Sequence, residues 1–323
     1  MSASTPAAAG PARVSVLYIG GWGRSGSTLL DRVLGQVPGV VSLGEVRELW
    51  QRGWAENRPC GCGAAFADCP FWTEVGERAF GGWSRLDRDE VLRMRYSLDR
   101  PWSIPLLLGR RPAGLLGKSL STYTAILDSL YRALGEVSGA KLLVDSSKLP
   151  SHALLLRRLP RLDIRMVHLV RDSRGVVFSW KKRVVNRVTS GPPQLMEQYE
   201  TFSASARYVL YNALTAAAGR TRIPSLRVRY EDFVAQPRGT VQAVLRHAGL
   251  DADGTDLSFL HDGEVTLAPN HTVDGNRVRF SVGAVRLRED DEWRREMSSR
   301  DRFWVTTLTS PLLRSYGYRR AER

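Results

Sequence analysis

The residues best suited to chemistry begin with a glycine-rich loop at residues 20–28, GGWGRSGST. An apolar run rich in β-branched residues precedes this loop, and an amphipathic run follows it, which together indicate strand, loop and helix. Glycines let backbone N–H groups turn toward an anion, and the start of a helix adds positive potential there. The sequence therefore predicts a phosphate-binding loop.

The loop lacks the lysine of a nucleotide hydrolase. Gly21 and Gly26 have the spacing of a Walker A motif, but Ser27 stands where that motif has lysine. A Walker loop uses its lysine and Mg²⁺ on the β and γ phosphates, whereas the one cation of this loop is Arg24. We therefore expect the loop to bind a different phosphate. Its predicted contacts are Gly23, Arg24, Ser25, Gly26, Ser27 and Thr28.

A second signal lies in residues 169–180, LVRDSRGVVFSW. Arg171 ends an apolar strand-like run, and Ser179 follows eight positions later, about two helical turns on. An arginine and a hydroxyl that converge in this way could bind another phosphate group. Taken alone, the pattern fits a surface pair of Arg171 with Asp172 at least as well.

Together the two motifs resemble the sulfotransferases that use 3′-phosphoadenosine-5′-phosphosulfate (PAPS). The resemblance covers roughly residues 14–280. It extends to VRYEDF at 228–233, to NHTVDGNRVRF at 270–280 and to the cysteine-rich CGCGAAFADCPFW at 60–72. The second of these segments is similar to the loop that closes over the nucleotide in carbohydrate-type and bacterial members.

The resemblance implies how PAPS would be bound. The glycine loop would hold the 5′-phosphosulfate, with Arg24 on the 5′-phosphate and the bridging oxygen as charge develops there. Arg171 and Ser179 would hold the 3′-phosphate. The remaining predicted nucleotide contacts are Tyr230, Gly275, Asn276, Arg277 and Arg279.

Glu45 is the predicted catalytic base, which takes the proton of the acceptor hydroxyl. It lies in a Gly–Glu pair 21 residues after Arg24, the separation found in the tyrosylprotein sulfotransferases. The alternative is a first-turn helix residue that complements the helix dipole. His152 and His271 are rival bases, because cytosolic members of the family use histidine, and His168 lies within an apolar strand and is predicted to be a core residue.

Two further basic residues are assigned to the chemistry. Lys148 ends the segment DSSK (residues 145–148) and is predicted to reach the transferring sulfuryl oxygens, with Ser146 or Ser147 beside it. The alternative is a helix N-cap at Ser147 and a surface lysine. Arg47 is predicted to orient the acceptor.

Strands and helices alternate along the chain, which indicates βαβ units and a mostly parallel sheet. We expect a three-layer α/β domain with the P-loop-NTPase-like sulfotransferase fold at residues 14–323, after a disordered tail at 1–13.

Residues 53–117 interrupt the alternation and are predicted either to form a lid or acceptor pocket, or to pack as ordinary helices on the core. Predicted strands lie at 14–19, 40–43, 141–144, 164–170 and 226–230, and predicted helices at 27–36, 45–52, 122–135, 174–185, 194–218 and 240–247.

Composition says less than the motifs about which ligands or partners the protein binds. The 323 residues carry a formal net charge of +14, mostly from arginine, which suits phosphate or sulfate but also fits a generally arginine-rich protein. No targeting segment or membrane-spanning run is evident, so we expect a cytoplasmic protein without stable membrane insertion. The three cysteines, Cys60, Cys62 and Cys69, lack an evident fourth zinc ligand, so buried thiols or a structural cluster are predicted, and no metal site.

The expected activity is in-line transfer of a sulfuryl group from PAPS to a hydroxyl of a small metabolite, sugar or glycolipid, with a carboxylate base and no required metal. The second product is adenosine 3′,5′-bisphosphate. The alternative is a P-loop kinase or NTPase with a degenerate phosphate loop. A third class, a basic nucleic-acid-binding protein, has no recognition motif in its support, and no nucleic-acid partner is expected.

Overall fold

The computed structural model describes residues 13–109, 114–182, 185–186, 194–195, 197–220 and 223–318. The strands are β1 (Val14–Gly20), β2 (Val40–Gly44), β3 (Leu142–Lys148), β4 (Leu162–Val170), β5 (Val185–Asn186), β6 (Gln194–Leu195), β7 (Ser225–Arg229), β8 (Leu260–His261), β9 (Glu264–Leu267) and β10 (Gly283–Arg286).

Helices cover much of the rest of the described chain. They are α1 (Ser27–Leu34), α2 (Pro70–Phe80), α3 (Arg88–Leu98), α4 (Ile104–Leu108), α5 (Gly114–Ser138), α6 (Pro150–Leu156), α7 (Ser173–Lys181), α8 (Thr201–Gly219), α9 (Tyr230–Ala235), α10 (Pro237–Ala248), α11 (Trp293–Glu296) and α12 (Ser299–Ser315). Short 3₁₀ turns lie at Val46–Glu48, Phe66–Asp68, Trp83–Arg85, Pro101–Ser103 and Arg277–Phe280, and a π-helical segment at Leu49–Ala55.

The central sheet has five parallel strands in the order β2-β3-β1-β4-β7. Strand β1 is therefore in the middle, with β3 on one side and β4 on the other. The carboxyl ends of all five strands meet at one edge of the sheet, where open α/β sheets bind their ligands. The predicted α/β class with a mostly parallel sheet is confirmed.

Helices cover both faces of the sheet, and each face has its own core. Successive side chains of β1 therefore point into opposite cores. Val16 and Tyr18 pack in one core with residues of α5 and α6. Leu17 and Ile19 pack in the other core with residues of α1 and α10. No more than 1% of the surface of these four side chains is exposed, which explains the continuous apolar run in the sequence.

The described part of the insertion at residues 53–117 packs on the core through aromatic side chains. Phe66 and Trp72 stack with their ring centroids 5.4 Å apart, and Trp72 lies in the same core as Leu143 of β3. Helix α2 packs along α5. This core contact anchors the insertion to the sheet face on which α5 packs.

Several element bounds differ from the sequence prediction. Strand β3 extends through the polar DSSK segment because Lys148 still pairs with Gly20 of β1. Residues 45–52 form a 3₁₀ turn and the start of the π-helical segment, where the sequence predicted an ordinary helix. There the Arg47 N–H donates to the Ser147 hydroxyl at 2.9 Å, which holds the turn against β3.

Some predicted boundaries lie outside the described residues. They are the tail at 1–12, positions 110–113 of the insertion, and parts of the predicted helix ends between 183 and 196. Within the described chain, α7 ends at Lys181 and α8 begins at Thr201, so both helices are shorter than predicted. None of the described helices combines the length and apolar character needed to cross a membrane.

Candidate active site

A cavity of about 590 Å³ opens at the carboxyl edge of the parallel sheet. The loop between β1 and α1 forms one wall, and residues from 274 to 290 form the opposite wall. The structure brings twelve of the predicted site residues to this cavity: Gly23, Arg24, Gly26, Ser27, Thr28, Glu45, Lys148, Arg171, Ser179, Tyr230, Gly275 and Asn276.

Backbone conformation shapes the glycine loop. Gly26 has φ of 88°, and a Cβ there would lie 2.5 Å from the Tyr230 ring, so no larger residue fits without displacing that ring. Arg24 also has positive φ, 68°, which is uncommon for a residue with a side chain. Ser25 of this loop is only 2% exposed and does not line the cavity.

Aromatic side chains hold Arg24 at the cavity wall. Its guanidinium lies over the Trp180 ring, 5.0 Å from the ring centroid, and the Trp180 indole N–H donates to the Gly23 carbonyl at 3.3 Å. Trp180 in turn stacks on Trp22 at 5.2 Å. Burial lowers the pKa of Arg24, and the negative charge of Glu45 opposes that shift.

Arg171 and Ser179 reach the same cavity from β4 and α7. The Arg171 guanidinium donates to the Arg24 carbonyl at 3.0 Å and to the Asp290 carbonyl at 2.8 Å. It also lies over the Tyr230 ring at 4.6 Å. These contacts join the strand end to the glycine loop, and the alternative of a surface Arg171–Asp172 pair does not describe them. Asp172 instead caps α7 and pairs with Arg174.

Glu45 and Lys148 form an ion pair at the ends of β2 and β3. Lys148 has φ of 68°, and its ammonium also donates to the Ser146 carbonyl at 3.3 Å. The predicted alternative of a helix cap at Ser147 is wrong, because α6 begins after Leu149 and the Ser147 hydroxyl instead accepts the Arg47 N–H.

Buried Asp145 organises this turn. Its carboxylate accepts a hydrogen bond from the Tyr131 hydroxyl at 2.5 Å and from the Ser147 N–H at 2.9 Å. His152 lies beside it and pairs with Asp99 at 2.7 Å, with neither side chain exposed. His152 is therefore part of the interior and does not line the cavity.

Three other predicted site residues do not line the cavity. Arg47 is buried and pairs with Glu48 and with Asp99, the latter at 3.3 Å. Arg279 is buried and donates to the carbonyls of Thr272 and Pro59, at 2.8 and 2.6 Å. Arg277 is exposed on the neighbouring turn. Arginine spacing in the sequence does not distinguish a cavity wall from a buried hydrogen-bonding role.

His168 is a core residue, as its apolar strand predicted. Its Nε2 lies 3.0 Å from the Asn212 side-chain oxygen, and burial lowers the pKa of His168 to about 4. The side chain is 3% exposed, and the cavity wall does not include it.

The cavity also contains side chains that the sequence analysis missed. Arg52 pairs with Asp274 at 2.6 Å, and both line the wall beside Glu45. Burial, with the nearby negative charge of Glu45, raises the pKa of Asp274 to about 6. Asp274 lies within the NHTVDGNRVRF motif at 270–280, so the sequence could have indicated it as a site residue. The other missed polar residues are Arg58, Glu197, Arg286, Arg288 and Asp290.

The structure corrects the prediction that the cysteines lack a fourth ligand. His271 lies beside Cys60, Cys62 and Cys69, and one ligand atom from each residue lies within 4.8 Å of the others. His271 is at least 202 residues from each cysteine in sequence, so spacing could not reveal it. Its ring nitrogen faces the sulfur atoms, and His271 does not line the cavity.

Fold and site together define the class of this protein. Seven arginine and lysine side chains and four carboxylates line the cavity among the described residues. A glycine loop, a helix N-terminus and a strand-end arginine converge there, as expected for binding a phosphorylated or sulfated anion. The chain is an α/β protein with an arginine-rich cavity at its parallel-sheet edge.

Comparison with known proteins finds a family model that matches part of the chain. Residues 112–254, less than half of the chain, match the model of the Sulfotransferase family. Over that segment, the match supports the sulfotransferase family that the motifs predict. No curated protein matches the chain by sequence.

Several solved structures are similar to the whole chain. The sulfotransferase domain of the Synechococcus PCC 7002 olefin synthase is 21% identical, with 93% of this chain and 95% of that one covered and a TM-score of 0.45. The sulfotransferase domain from the curacin biosynthetic pathway is 16% identical, with 94% and 98% covered and a TM-score of 0.49. A sulfotransferase from Mycobacterium avium is 12% identical, with 97% and 79% covered and a TM-score of 0.45.

Proposed function

We propose that this protein is a PAPS-dependent sulfotransferase that transfers a sulfuryl group to a hydroxyl of a small metabolite, sugar or glycolipid. One observation carries the proposal. A single cavity is lined both by the lysine-free loop with Arg24 and by the Arg171–Ser179 pair, although Arg171 follows Arg24 by 147 residues. PAPS has phosphate groups at both ends of its ribose, and two separate anion sites suit it.

The nucleotide would lie between these two anion sites. N–H groups at the start of α1 and the Arg24 guanidinium would contact the 5′-phosphosulfate. Arg171 and Ser179 would contact the 3′-phosphate, and an arginine provides the planar, charge-assisted hydrogen bonds that a phosphate favours. Tyr230 supports both groups, because its ring packs on Gly26 and beneath Arg171.

Transfer would proceed in line through a loose transition state, in which positioning and charge stabilisation dominate. The bond between sulfur and the bridging oxygen of PAPS breaks as the acceptor oxygen bonds to sulfur. Glu45 takes the acceptor proton, and the electron pair of the broken bond stays with the 5′-phosphate. The products are a sulfate ester and adenosine 3′,5′-bisphosphate.

The cations of the cavity have separate tasks in this scheme. Arg24 stabilises charge on the bridging oxygen and does not donate a proton, because an arginine does not deprotonate in proteins. Lys148 stabilises the sulfuryl oxygens from the strand end. Lys148 already pairs with Glu45, so the base and this cation lie on the same side of the reacting group.

A kinase or NTPase is the alternative, and Asp145 argues against it. A P-loop NTPase holds its magnesium ion with an aspartate from a strand end. Asp145, at such a strand end, does not line the cavity. It is fully buried and accepts hydrogen bonds from Tyr131 and Ser147. Ser27, moreover, stands in place of the Walker lysine. The proposed reaction requires no metal, and we propose that it takes place in the cytoplasm.

Calorimetric titration of the purified protein tests this proposal against the alternative. We expect adenosine 3′,5′-bisphosphate to bind at least tenfold more tightly than ATP with Mg²⁺. Incubation with PAPS and pooled hydroxyl compounds should then give products heavier by one SO₃ group in mass spectra. Tight ATP–Mg²⁺ binding together with hydrolysis of ATP would instead support the kinase or NTPase class.

A further inference from the structure

Three thiols and one imidazole meet beside the cavity, at the junction of the insertion with the 270–280 loop. The sulfur of Cys69 lies 3.6 Å from that of Cys60 and 3.8 Å from that of Cys62. The Nδ1 atom of His271 lies 3.2 Å from the Cys69 sulfur and 3.8 Å from the Cys60 sulfur.

These distances fit a tetrahedral metal site. Zinc bonds of about 2.3 Å to sulfur and about 2.0–2.1 Å to nitrogen place neighbouring ligand atoms about 3.5–3.8 Å apart in a tetrahedron. The four separations given above, from 3.2 to 3.8 Å, lie close to that range, and all four ligand atoms lie within 4.8 Å of one another. A disulfide would require about 2.05 Å between sulfur atoms, and all three cysteines are free.

The backbone around the cysteines forms a compact knuckle at residues 59–65. Pro59 pairs with Ala65, the Cys60 N–H donates to the Ala64 carbonyl at 2.7 Å, and Gly63 turns the chain with φ of 91°. Cys69 immediately precedes α2, where the helix N-terminus favours a thiolate. Three sulfur ligands are thus presented by ten consecutive residues.

Contacts around His271 fix its imidazole toward the sulfur atoms. The Trp72 indole N–H donates to the His271 carbonyl at 2.9 Å. The Phe71 ring stacks on the imidazole with centroids 5.1 Å apart and planes 13° from parallel. Supporting contacts of this kind orient the ligands of metal sites.

We propose that Cys60, Cys62, Cys69 and His271 bind one zinc ion. Four protein ligands complete the coordination, so the ion is structural and leaves no position for substrate. Thiolate-rich tetrahedral sites favour zinc over magnesium or calcium, which prefer oxygen ligands. Sulfuryl transfer needs no metal in the proposed mechanism, and this site is separate from it.

The zinc ion would attach the insertion to the wall of the cavity. The Gly61 N–H donates to the Thr272 carbonyl at 2.9 Å, directly after the His271 ligand. Further along this loop, the Asn276 N–H donates to the Thr28 hydroxyl at 3.0 Å, within the phosphate-binding loop. Metal binding at His271 would therefore hold Gly275 and Asn276 against the nucleotide site.

Metal analysis and cobalt substitution test the site without reference to activity. The chain has only three cysteines, all in this cluster, so any cobalt–thiolate absorption must arise here. We expect about one zinc per chain in protein purified without added metal, and tetrahedral cobalt–thiolate bands after exchange. Cys62→Ser should lower bound zinc at least tenfold, and because Cys62 is exposed this change should leave the fold intact.

His261→Gln is the matched control, because His261 is an exposed histidine away from the cysteines. This variant should keep its zinc and its cobalt spectrum, whereas His271→Gln should lose both. Absence of zinc from the wild-type protein together with no cobalt–thiolate bands would overturn the proposal. So would iron as the bound metal, or a Cys60–Cys69 disulfide in protein purified under reducing conditions.

Discussion

The Glu45 carboxylate forms an ion pair with the Lys148 ammonium across the ends of two adjacent parallel strands. Glu45 directly follows β2, and Lys148 is the last residue of β3. Both line the cavity together with Arg24. In the proposed reaction, this ion pair places the base next to the cation that stabilises the sulfuryl oxygens.

Replacing Glu45 by glutamine should remove the proposed base and leave the proposed nucleotide site intact. We expect kcat for sulfuryl transfer to fall about 10²–10⁴-fold, the usual contribution of a general base. Binding of adenosine 3′,5′-bisphosphate should change less than about threefold, because the anion sites are formed by other residues. Glu74→Gln, at an exposed position of α2, is the matched control. Normal turnover by Glu45→Gln would show that another group is the base.

Replacing Lys148 by methionine should slow the chemical step more than it weakens nucleotide binding. The proposed contact is with sulfuryl oxygens, where charge stabilisation of the transition state contributes about 10²–10³ in rate. Comparison of kcat with the dissociation constant of adenosine 3′,5′-bisphosphate separates the two effects. A variant with unchanged kcat and a raised KM for PAPS would assign Lys148 to ground-state binding only.

Gly26→Ala should distort the glycine loop that we propose to bind phosphate. Gly26 has φ of 88°, and the added methyl would meet the Tyr230 ring at 2.5 Å. We expect a loss of about 1–3 kcal/mol in the free energy of unfolding and at least tenfold weaker nucleotide binding. Gly239→Ala, in helix α10 with open space around it, should change the unfolding free energy by less than about 1 kcal/mol in either direction. Equal effects in the two variants would contradict the role of Gly26.

Asp31 makes stability depend on pH. Burial raises the pKa of Asp31 to about 7, although a 2.8 Å hydrogen bond from Ser42 opposes the shift. The folded state therefore retains a proton that the unfolded state releases above about pH 4. The Asp31 contribution is fully present below about pH 4 and is lost as pH rises through about 7, on the order of 4 kcal/mol in total.

Urea unfolding from pH 5 to pH 8 measures this dependence. Asp31→Asn should remove most of the fall in unfolding free energy across that range, because asparagine stays neutral. Asp89→Asn, at an exposed position of α3, should keep the pH dependence of the wild-type protein. Parallel pH profiles for wild type and Asp31→Asn would contradict the raised pKa.

Features encoded by local patterns were predictable from the sequence. Apolar runs specified the parallel strands, and the glycine spacing specified the loop with Arg24. Residues brought in by long-range packing were not predictable: Arg52 reaches the cavity through a π-helical segment, and His271 joins cysteines about 200 positions away. Arg279 was predicted to contact the nucleotide, but its guanidinium is buried and donates to the carbonyls of Thr272 and Pro59.

Discrimination of the 3′-phosphate tests the central claim most directly. The measurement is calorimetric binding of adenosine 3′,5′-bisphosphate and adenosine 5′-monophosphate to wild type and to Ser179→Ala. We predict at least about 100-fold tighter binding of the bisphosphate to wild type, since charge-assisted bonds to phosphate would be lost with the monophosphate. The preference should fall about tenfold in Ser179→Ala. Equal affinity of the wild-type protein for the two nucleotides would contradict a PAPS site in this cavity.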